Sequence, residues 1–371
     1  MTENKTIISQ ETDKPSPRLR LRRADLKKQW QVSLAHQGAH IAMLRGIDIY
    51  CEQPGGESIC FEFPGRHKIK LKSTKGFFVS TSYDESKRAT LLGISAAAQY
   101  DEDLFAMLVL DLLELADGLA GHVPAQRCAL VVKRLQAWRQ FMQDRSRSFT
   151  DAQELGLAGE ILFLTACLKH GVLIPSVQEF WTGPRGNAKD FTFCGSTFVE
   201  VKTSTEARPL RAKIDSLEQL DTTGIQKLYL AAITLEKASS EAADSQEPDD
   251  IPPFKTLAEI ADAAEGLLPS DIQKLEFRSN LLTAGFSDEQ REQCTHRFKL
   301  TDLRLFEATA LPRLTPGSIP GIISAKYEIE LLDASGAPVA PNALLDSEQV
   351  WEDLRQAGAE QEPDDVEDEL A

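Results

Sequence analysis

Residues 197–203, Thr-Phe-Val-Glu-Val-Lys-Thr, decide how this chain folds. Successive side chains of a β-strand point to opposite faces, so Glu200 and Lys202 share one face while Val199 and Val201 take the other. An acidic and a basic side chain are thereby held side by side on a strand with an apolar reverse. An exposed strand of alternating charge would show the same pattern, so the neighbouring segments must decide between the two interpretations.

The segment before this strand supplies a second carboxylate. Asp190-Phe-Thr-Phe193 predicts the first strand of an antiparallel hairpin that turns at Gly195-Ser196, which would bring Asp190 within reach of Glu200. Two converging carboxylates suit Mg²⁺, which takes oxygen ligands and keeps several waters. A bound ion would polarise a phosphate and acidify a water, and Lys202 would orient that water and offset the developing charge.

A third carboxylate lies in a helical segment. Residues 156–164, Gly-Leu-Ala-Gly-Glu-Ile-Leu-Phe-Leu, predict part of a helix over about 148–170 that is apolar on nearly every side. An isolated ionised carboxylate is costly there, so we expect Glu160 to have a cation or hydrogen-bond donors nearby. Gly156 and Gly159 weaken the helix and would allow close backbone approach.

These segments together resemble the PD-(D/E)XK nuclease superfamily. The resemblance is narrower to a bacterial branch of PD-(D/E)XK motif proteins linked to phage defence. It is carried by the motifs GLAGE at 156–160, W-x-G-P at 181–184, DF at 190–191, EVK at 200–202 and S-x-x-QLD at 216–221.

The resemblance implies a fold and a set of roles. The fold is α/β, a restriction-endonuclease-like α/β/α core with a mixed sheet. Asp190 and Glu200 would be metal ligands, Glu160 a supporting ligand or orienter, and Lys202 the catalytic lysine. The cofactor would be Mg²⁺, with Mn²⁺ as a substitute. One departure is plain, since Lys189 stands where the motif has proline.

The residues after the lysine motif are open to two interpretations. Gln219, with Ser216, falls on a predicted helix over 215–222, where the resemblance implies a DNA-contacting or site-organising role and where simple surface polar residues would look the same. Arg208, Arg211 and Lys213 could contact phosphates or be exposed loop cations. The loop 181–187 could face DNA, although a turn-forming connector fits its Gly and Pro content better.

The whole chain is acidic, with a formal net charge of −16 over 371 residues. This opposes DNA binding, because affinity for phosphates comes mainly from Lys and Arg. Half of the excess lies from Glu352 onward, where nine acidic residues face one basic residue. Basic residues concentrate near the N-terminus, in an arm that could touch nucleic acid or be a solvated lead-in to the first element. They are Arg18, Arg20, Arg22, Arg23, Lys27 and Lys28.

Composition changes divide the chain into several parts. The length predicts two packed domains. Strands late in the chain, near 296–309 and 321–332, would extend the central sheet or form a separate subdomain. The predicted parts are a disordered basic arm at 1–30, a β-rich then helical domain at 31–147, the nuclease core at 148–235, an acidic insertion at 236–250, an α/β region at 251–345 and an acidic tail at 346–371.

The expected function is a Mg²⁺-dependent DNA endonuclease of restriction or anti-phage type. The alternative is a catalytically silent, nuclease-like adaptor that binds DNA or protein. Expected partners are DNA, other subunits of a defence system and, as an option, a second copy of the chain in a homodimer. No membrane-spanning segment or secretory signal is predicted, so we expect a cytoplasmic protein. Phosphate-binding loop, zinc-protease and serine-hydrolase motifs are absent from the sequence.

Overall fold

The computed structural model describes residues 23–97, 100–144, 149–193, 196–206, 210–238, 254–331 and 347–359. The chain divides into two compact units, residues 1–147 and 148–371, which are described separately. Among the described residues, no helix combines the length and the apolar character needed to cross a bilayer. The predictions for Arg18, Arg20, Arg22 and Arg208 fall outside the described residues.

The first unit is built on a five-stranded antiparallel sheet. Its strands lie in the order β1-β2-β3-β5-β4, so that β4 forms one edge. Alternate side chains such as Ile49, Ile59 and Leu92 are fully buried on one face, as expected for a sheet with one face in a core. The elements are α1 (Arg23–Ala35), β1 (Ile41–Leu44), β2 (Ile47–Cys51), β3 (Glu57–Pro64), β4 (Phe77–Asp84), β5 (Ala89–Ala96), α2 (Glu102–Gly118) and α3 (Pro124–Asp144).

Helix α1 corrects the prediction of a disordered basic arm over 1–30 for the part that the structure describes, residues 23–30. From Arg23 onward the chain is helical, and Leu26 and Trp30 of this helix are buried. Lys27 pairs with the acidic first turn of α2, 3.1 Å from Glu102 and 2.9 Å from Asp103. Burial of the apolar face of α1 therefore outweighs the charge pattern that suggested a solvated lead-in.

The second unit contains a mixed five-stranded sheet in the order β10-β11-β9-β7-β6. Strands β7 and β9 are parallel, whereas the other three pairs are antiparallel. The α/β class with a mixed sheet is thereby confirmed. The elements are α4 (Asp151–Lys169), α5 (Val177–Phe180), β6 (Phe191–Phe193), β7 (Thr197–Ser204), β8 (Arg211–Ile214), β9 (Lys227–Lys237), β10 (Lys255–Thr256), α6 (Leu257–Leu267), α7 (Asp271–Thr283), α8 (Asp288–Gln293), β11 (Arg297–Glu307), β12 (Tyr327–Glu330) and α9 (Ser347–Ala359).

The two faces of this sheet have separate cores. Val199 and Val201 of β7 pack with α4, α6 and α7 in a large apolar cluster. The other face packs against β8 and β12, which pair as a two-stranded antiparallel sheet. Helix α4 approaches β7 closely, because a Cβ on Gly159 would lie 1.8 Å from Thr203 Oγ1. The expected close backbone approach is therefore present at Gly159.

Three parts of the second unit differ from or refine the sequence predictions. The helix predicted over 215–222 is absent, since residues 217–220 form a turn that buries Leu217 and Leu220. The strands predicted late in the chain belong to two different sheets: β11 extends the central sheet, and β12 pairs with β8. The acidic tail predicted from 346 begins as helix α9, whose Trp351 and Leu354 are buried.

Candidate active site

The hairpin of β6 and β7 places Asp190 beside the charged face of β7. Phe191 pairs with Val199, so the antiparallel register puts Asp190 opposite Glu200. The Asp190 carboxylate accepts a hydrogen bond of 2.7 Å from the backbone N–H of Val201, the residue between Glu200 and Lys202. The carboxylate of Asp190 therefore lies at the edge of β7, next to both side chains.

Glu200 and Lys202 form a buried ion pair. Lys202 Nζ lies 2.8 Å from Glu200 Oε1, and the Glu200 side chain is only 2% exposed. The second oxygen, Glu200 Oε2, is buried and has no hydrogen-bond partner among the described residues. A buried carboxylate oxygen without a partner carries a large desolvation cost, so this position favours an added donor or a cation.

Glu160 reaches the same site from α4. Its Oε2 accepts a hydrogen bond of 2.6 Å from Nε1 of the buried Trp181. A Cβ on Gly183 would lie 2.8 Å from Asp190 Oδ1 and 3.0 Å from Glu160 Oε2. The two carboxylates thus flank the same bare Cα, and any side chain at residue 183 would displace them.

Burial dominates the electrostatics of the three carboxyl groups. It raises the pKa of Glu160 well above its usual range, and the negative charge of Asp190 adds to the effect. Burial and the nearby Asp190 raise the pKa of Glu200 to about 8, against the opposing effect of Lys202. The pKa of Asp190 is also raised by burial, although the Val201 amide and Lys202 oppose the shift. The site therefore concentrates more negative charge than its own lysine balances.

Lys189, the residue that replaces the motif proline, anchors the turn after β8. Its Nζ donates to the carbonyl oxygens of Glu218 and of Gln219, the latter at 2.8 Å. Burial lowers the pKa of Lys189, while the carboxylate of Glu200 acts in the opposite direction. Lys189 thereby connects the turn at 217–220 to the strand that carries Asp190.

Ser216 and Gln219 lie in this turn and not in a helix, and the carbonyl of Gln219 is joined to Lys189. Gln219 Oε1 accepts a 2.8 Å hydrogen bond from the backbone N–H of Asp215, so the side chain stabilises its own turn. Both residues are half-buried. A site-organising role for Gln219 agrees with this contact, and DNA contact by Ser216 stays a prediction.

Arg211 and Lys213 lie on β8 and not in a loop. Both side chains are exposed, and β12 places Glu330 opposite Arg211 and Glu328 opposite Lys213. Arg211 also lies 3.9 Å from the Glu328 carboxylate. Phosphate contact by these two residues stays a prediction, and the acidic partners on β12 weaken it.

A second cluster of ionisable groups lies at the first turn of α4. His296 Nδ1 lies 2.6 Å from Glu154 Oε2, and His296 Nε2 lies 3.6 Å from Asp151 Oδ2. Within the described residues, this is the one set of three His, Cys, Asp or Glu side chains whose ligand atoms all lie within 4.8 Å of one another. Glu160, Asp190 and Glu200 do not meet this spacing in the described part of the chain.

The donor set of the hairpin site nevertheless fits a hard divalent cation. Three carboxylates supply only oxygen atoms, which Mg²⁺ and Mn²⁺ prefer, and one of these oxygens is buried without a partner. The first-turn cluster also has a buried oxygen without a partner among the described residues, Glu154 Oε1, but it sets two carboxylates against two basic groups, since His296 bonds Glu154 Oε2 and Lys237 Nζ lies 3.6 Å from Asp151 Oδ2. The hairpin site instead brings three carboxylates around Lys202. We therefore assign the candidate metal centre to the hairpin site.

Sequence reasoning gave no specific role to the residues that hold this centre in place. The sequence predicts Trp181 and Gly183 only as parts of a connecting loop, although the W-x-G-P motif contains both. Asn280 on α7 donates a 2.7 Å hydrogen bond to the carbonyl of Trp181. It lies 99 residues away from Trp181 in the chain, and no local pattern connects the two.

Comparison with known proteins gives one match. The family model described as "Putative PD-(D/E)XK family member, (DUF4420)" matches residues 49–332. No curated protein and no solved structure matches the chain.

Proposed function

Because the chain belongs to this PD-(D/E)XK family, we propose that it is a metal-dependent DNA endonuclease that hydrolyses phosphodiester bonds. The observation that carries the proposal is the meeting of Asp190, Glu200 and Lys202 on one hairpin, with Glu200 Oε2 buried and unpartnered. The chemistry of these groups, and not the fold alone, supports an enzyme.

Asp190, Glu200 and Glu160 would hold Mg²⁺, with Mn²⁺ as a substitute. When bound, such an ion polarises the scissile phosphate and lowers the pKa of a bound water. Lys202 is held 2.8 Å from Glu200, where its ammonium group can position a water and offset negative charge at the phosphate. Trp181 orients Glu160 through its 2.6 Å hydrogen bond.

The alternative is a silent adaptor with the same fold. Such a protein would gain nothing from three carboxyl groups with raised pKa values, of which Glu200 is buried and Glu160 and Asp190 are half-buried. Raised pKa values of this kind reduce the stability of the fold when no cation is bound. This cost favours the enzyme. The restriction or anti-phage setting and the partner subunits are part of the proposal and are supported by the motif resemblance over 156–221.

Nicking of supercoiled plasmid in Mn²⁺ tests the proposal. We expect cleavage by the purified full chain and a loss of at least about 100-fold in Asp190→Ala and Lys202→Ala, because each removes a charge that acts at the phosphate. The matched control is Asp151→Ala. This exposed carboxylate lies at the first turn of α4, outside the hairpin that carries Asp190 and Lys202. Equal nicking by the wild type and the two site variants would mean a contaminating nuclease and would exclude the assignment.

A further inference from the structure

The first unit carries an exposed basic segment, residues 66–75, between β3 and β4. Its sequence is Arg-His-Lys-Ile-Lys-Leu-Lys-Ser-Thr-Lys, and no acidic residue occurs between Glu62 and Asp84. In a chain with a net charge of −16, five basic residues without an acidic neighbour in sequence are a marked local reversal of charge. Such a stretch favours a polyanionic partner.

The lysines of this segment point outward in a regular pattern. Lys68, Lys70 and Lys72 are exposed, while Ile69 and Leu71 between them are half-buried. This alternation is that of an extended chain, in which residues two apart project on one side at a spacing of roughly 6.6 Å. A row of evenly spaced ammonium groups can therefore meet several phosphates along one DNA backbone.

Hydrogen bonds hold the segment on the sheet at both of its ends. The backbone N–H of His67 donates to Thr90 Oγ1 on β5 at 2.9 Å. At the other end, Ser73 Oγ accepts from the N–H of Val79 on β4 at 3.0 Å, and the N–H of Thr74 donates to the carbonyl of Phe77 at 2.9 Å. A segment that is already ordered loses less entropy when it binds.

The charges of the lysines are available for binding. Among the residues that the structure describes, Lys68, Lys70, Lys72 and Lys75 have no hydrogen-bond or ion-pair partner. By contrast, Arg66 stacks on the ring of Tyr83 at 3.7 Å and pairs with Glu85 at 2.5 Å. The unpaired ammonium groups therefore need no existing ion pair to break before they meet a phosphate.

Edge strand β4 adds groups that suit a nucleic acid. Phe78 is 50% exposed, and Ser80 and Ser82 are exposed on the same face by strand alternation. Hydroxyl groups and lysines are frequent phosphate and sugar contacts in protein–DNA complexes. An acidic protein could use the same groups, and DNA is the favoured partner because it is the substrate of the proposed activity.

We infer that residues 66–75, with the exposed face of β4, form an accessory DNA-binding surface that contacts the phosphate backbone without reading sequence. The inference deepens the proposed function, on which it rests for the identity of the substrate. It locates DNA affinity in the first unit, outside the carboxylate cluster. A strongly acidic nuclease would thereby retain DNA through one basic surface.

Fluorescence anisotropy with a short labelled DNA duplex tests the inference in the full chain. EDTA prevents cleavage, and binding is measured over a series of salt concentrations. The variant is K68Q/K70Q/K72Q, and the matched control is K169Q/K274Q/K326Q, which removes the same charge from the second unit. We expect the segment variant to lose roughly tenfold or more in affinity and its salt slope to fall by about 2 to 3, because three phosphate contacts are removed.

The control variant should bind close to wild type, and equal melting temperatures would show that all three proteins are folded. Equal losses in the two variants would mean that only net charge matters and would overturn the inference. Failure of the wild type to bind the duplex would overturn it as well. Displacement of the DNA by polyglutamate at equal charge concentration would assign the surface to an acidic protein instead.

The two proposals fail in different ways. A protein that binds DNA through the segment but never nicks plasmid leaves the surface in place and excludes the nuclease. A protein that nicks plasmid, and whose segment variant binds like wild type, keeps the nuclease and excludes the surface.

Discussion

Helix α4 contributes carboxylates to two clusters that have different partners. At its first turn, Glu154 accepts a hydrogen bond from His296, and Asp151 lies 3.6 Å from the same ring. Two turns further on, Glu160 lies close to Asp190 beside the bare Cα of Gly183, and within the described segments Trp181 is its one hydrogen-bond donor. The first cluster sets two carboxylates against a histidine and a lysine, although Glu154 Oε1 has no partner among the described residues, whereas the second brings three carboxylates around Lys202.

The difference shows how a metal site is distinguished from an ion-pair network. Close spacing alone would select the first-turn cluster, since its three ligand atoms lie within 4.8 Å of one another. That closeness arises because a histidine can be a donor to both carboxylates. Three carboxyl groups with raised pKa values around one lysine are the better indication of a cation site, because a cation would stabilise the ionised carboxylates that burial disfavours.

The largest expected effect separates the two clusters by their response to Mn²⁺. The melting temperature of the wild type should rise as Mn²⁺ is added, because a ligand at about 100 times its Kd stabilises a protein by about 2.7 kcal/mol. The rise should be lost in D190N/E200Q and retained in E154Q/H296N. Thermal melting with and without EDTA makes the measurement.

The opposite response of the two variants to Mn²⁺ would contradict the assignment of the cation site. If Mn²⁺ still stabilised D190N/E200Q but not E154Q/H296N, the cation site would lie at the first turn of α4, and our assignment of the hairpin site would be wrong. The two double variants form a matched pair, because each removes two ligands from one cluster and leaves the other complete.

Local patterns predicted the elements that carry the candidate site, but not the contacts between distant parts of the chain. The alternation in 197–203 and the capped apolar run after residue 148 predicted β7 and α4, since both signals are contained in a few turns or pleats. The pairing of Glu154 with His296 joins residues 142 apart, and no local signal reports it. The roles assigned to Asp190, Glu200 and Lys202 stay predictions.

Two errors have a common physical cause. The S-x-x-Q spacing over 216–219 matches one face of a helix, but Leu220 packs in the core beside β8, Leu217 is buried, and the chain forms a turn instead. The acidic composition after 346 suggested only a tail, yet residues 347–359 form helix α9 and Trp351 stacks on His170 with ring centroids 4.2 Å apart. In both cases tertiary burial outweighs the local pattern.

The next effect concerns how closely α4 packs on the strand that carries Glu200. Gly159→Ala should destabilise the protein by about 1–3 kcal/mol, because the new Cβ would lie 1.8 Å from Thr203 Oγ1 and α4 or β7 must move. Since Glu160 follows directly, plasmid nicking should fall as well. Thermal melting and nicking rates measure the two effects.

Gly156→Ala is the matched control for that prediction. It lies one turn earlier in α4, a Cβ there meets nothing within 4 Å, and the change should stabilise the helix by about 0.5–1 kcal/mol. The Thr203→Ala change, made together with Gly159→Ala, should restore part of the loss by removing the clashing hydroxyl. Equal stability of the two glycine variants would show that close packing at Gly159 is unimportant.

The smallest expected effect concerns the melting temperature without added metal. Neutralising Glu200 should raise it, whereas neutralising Glu154 should lower it. The pKa of Glu200 is about 8 in the folded chain and 4.5 for an ordinary glutamate. Between these values the folded state keeps a proton that the unfolded state has released, so stability falls as pH rises through this window. Glu200→Gln removes that loss, keeps a polar partner for Lys202, and should raise the melting temperature in EDTA near pH 8 by a few degrees, since about 1 kcal/mol corresponds to roughly 2–4 °C. At pH 4.5 and below the gain should vanish.

Glu154→Gln should instead lower the melting temperature at neutral pH, because His296 loses a charged hydrogen-bond partner. Melting curves of both variants across this pH range check the prediction, and stabilisation by both substitutions would show that the two clusters do not differ in the way their spacing and partners indicate.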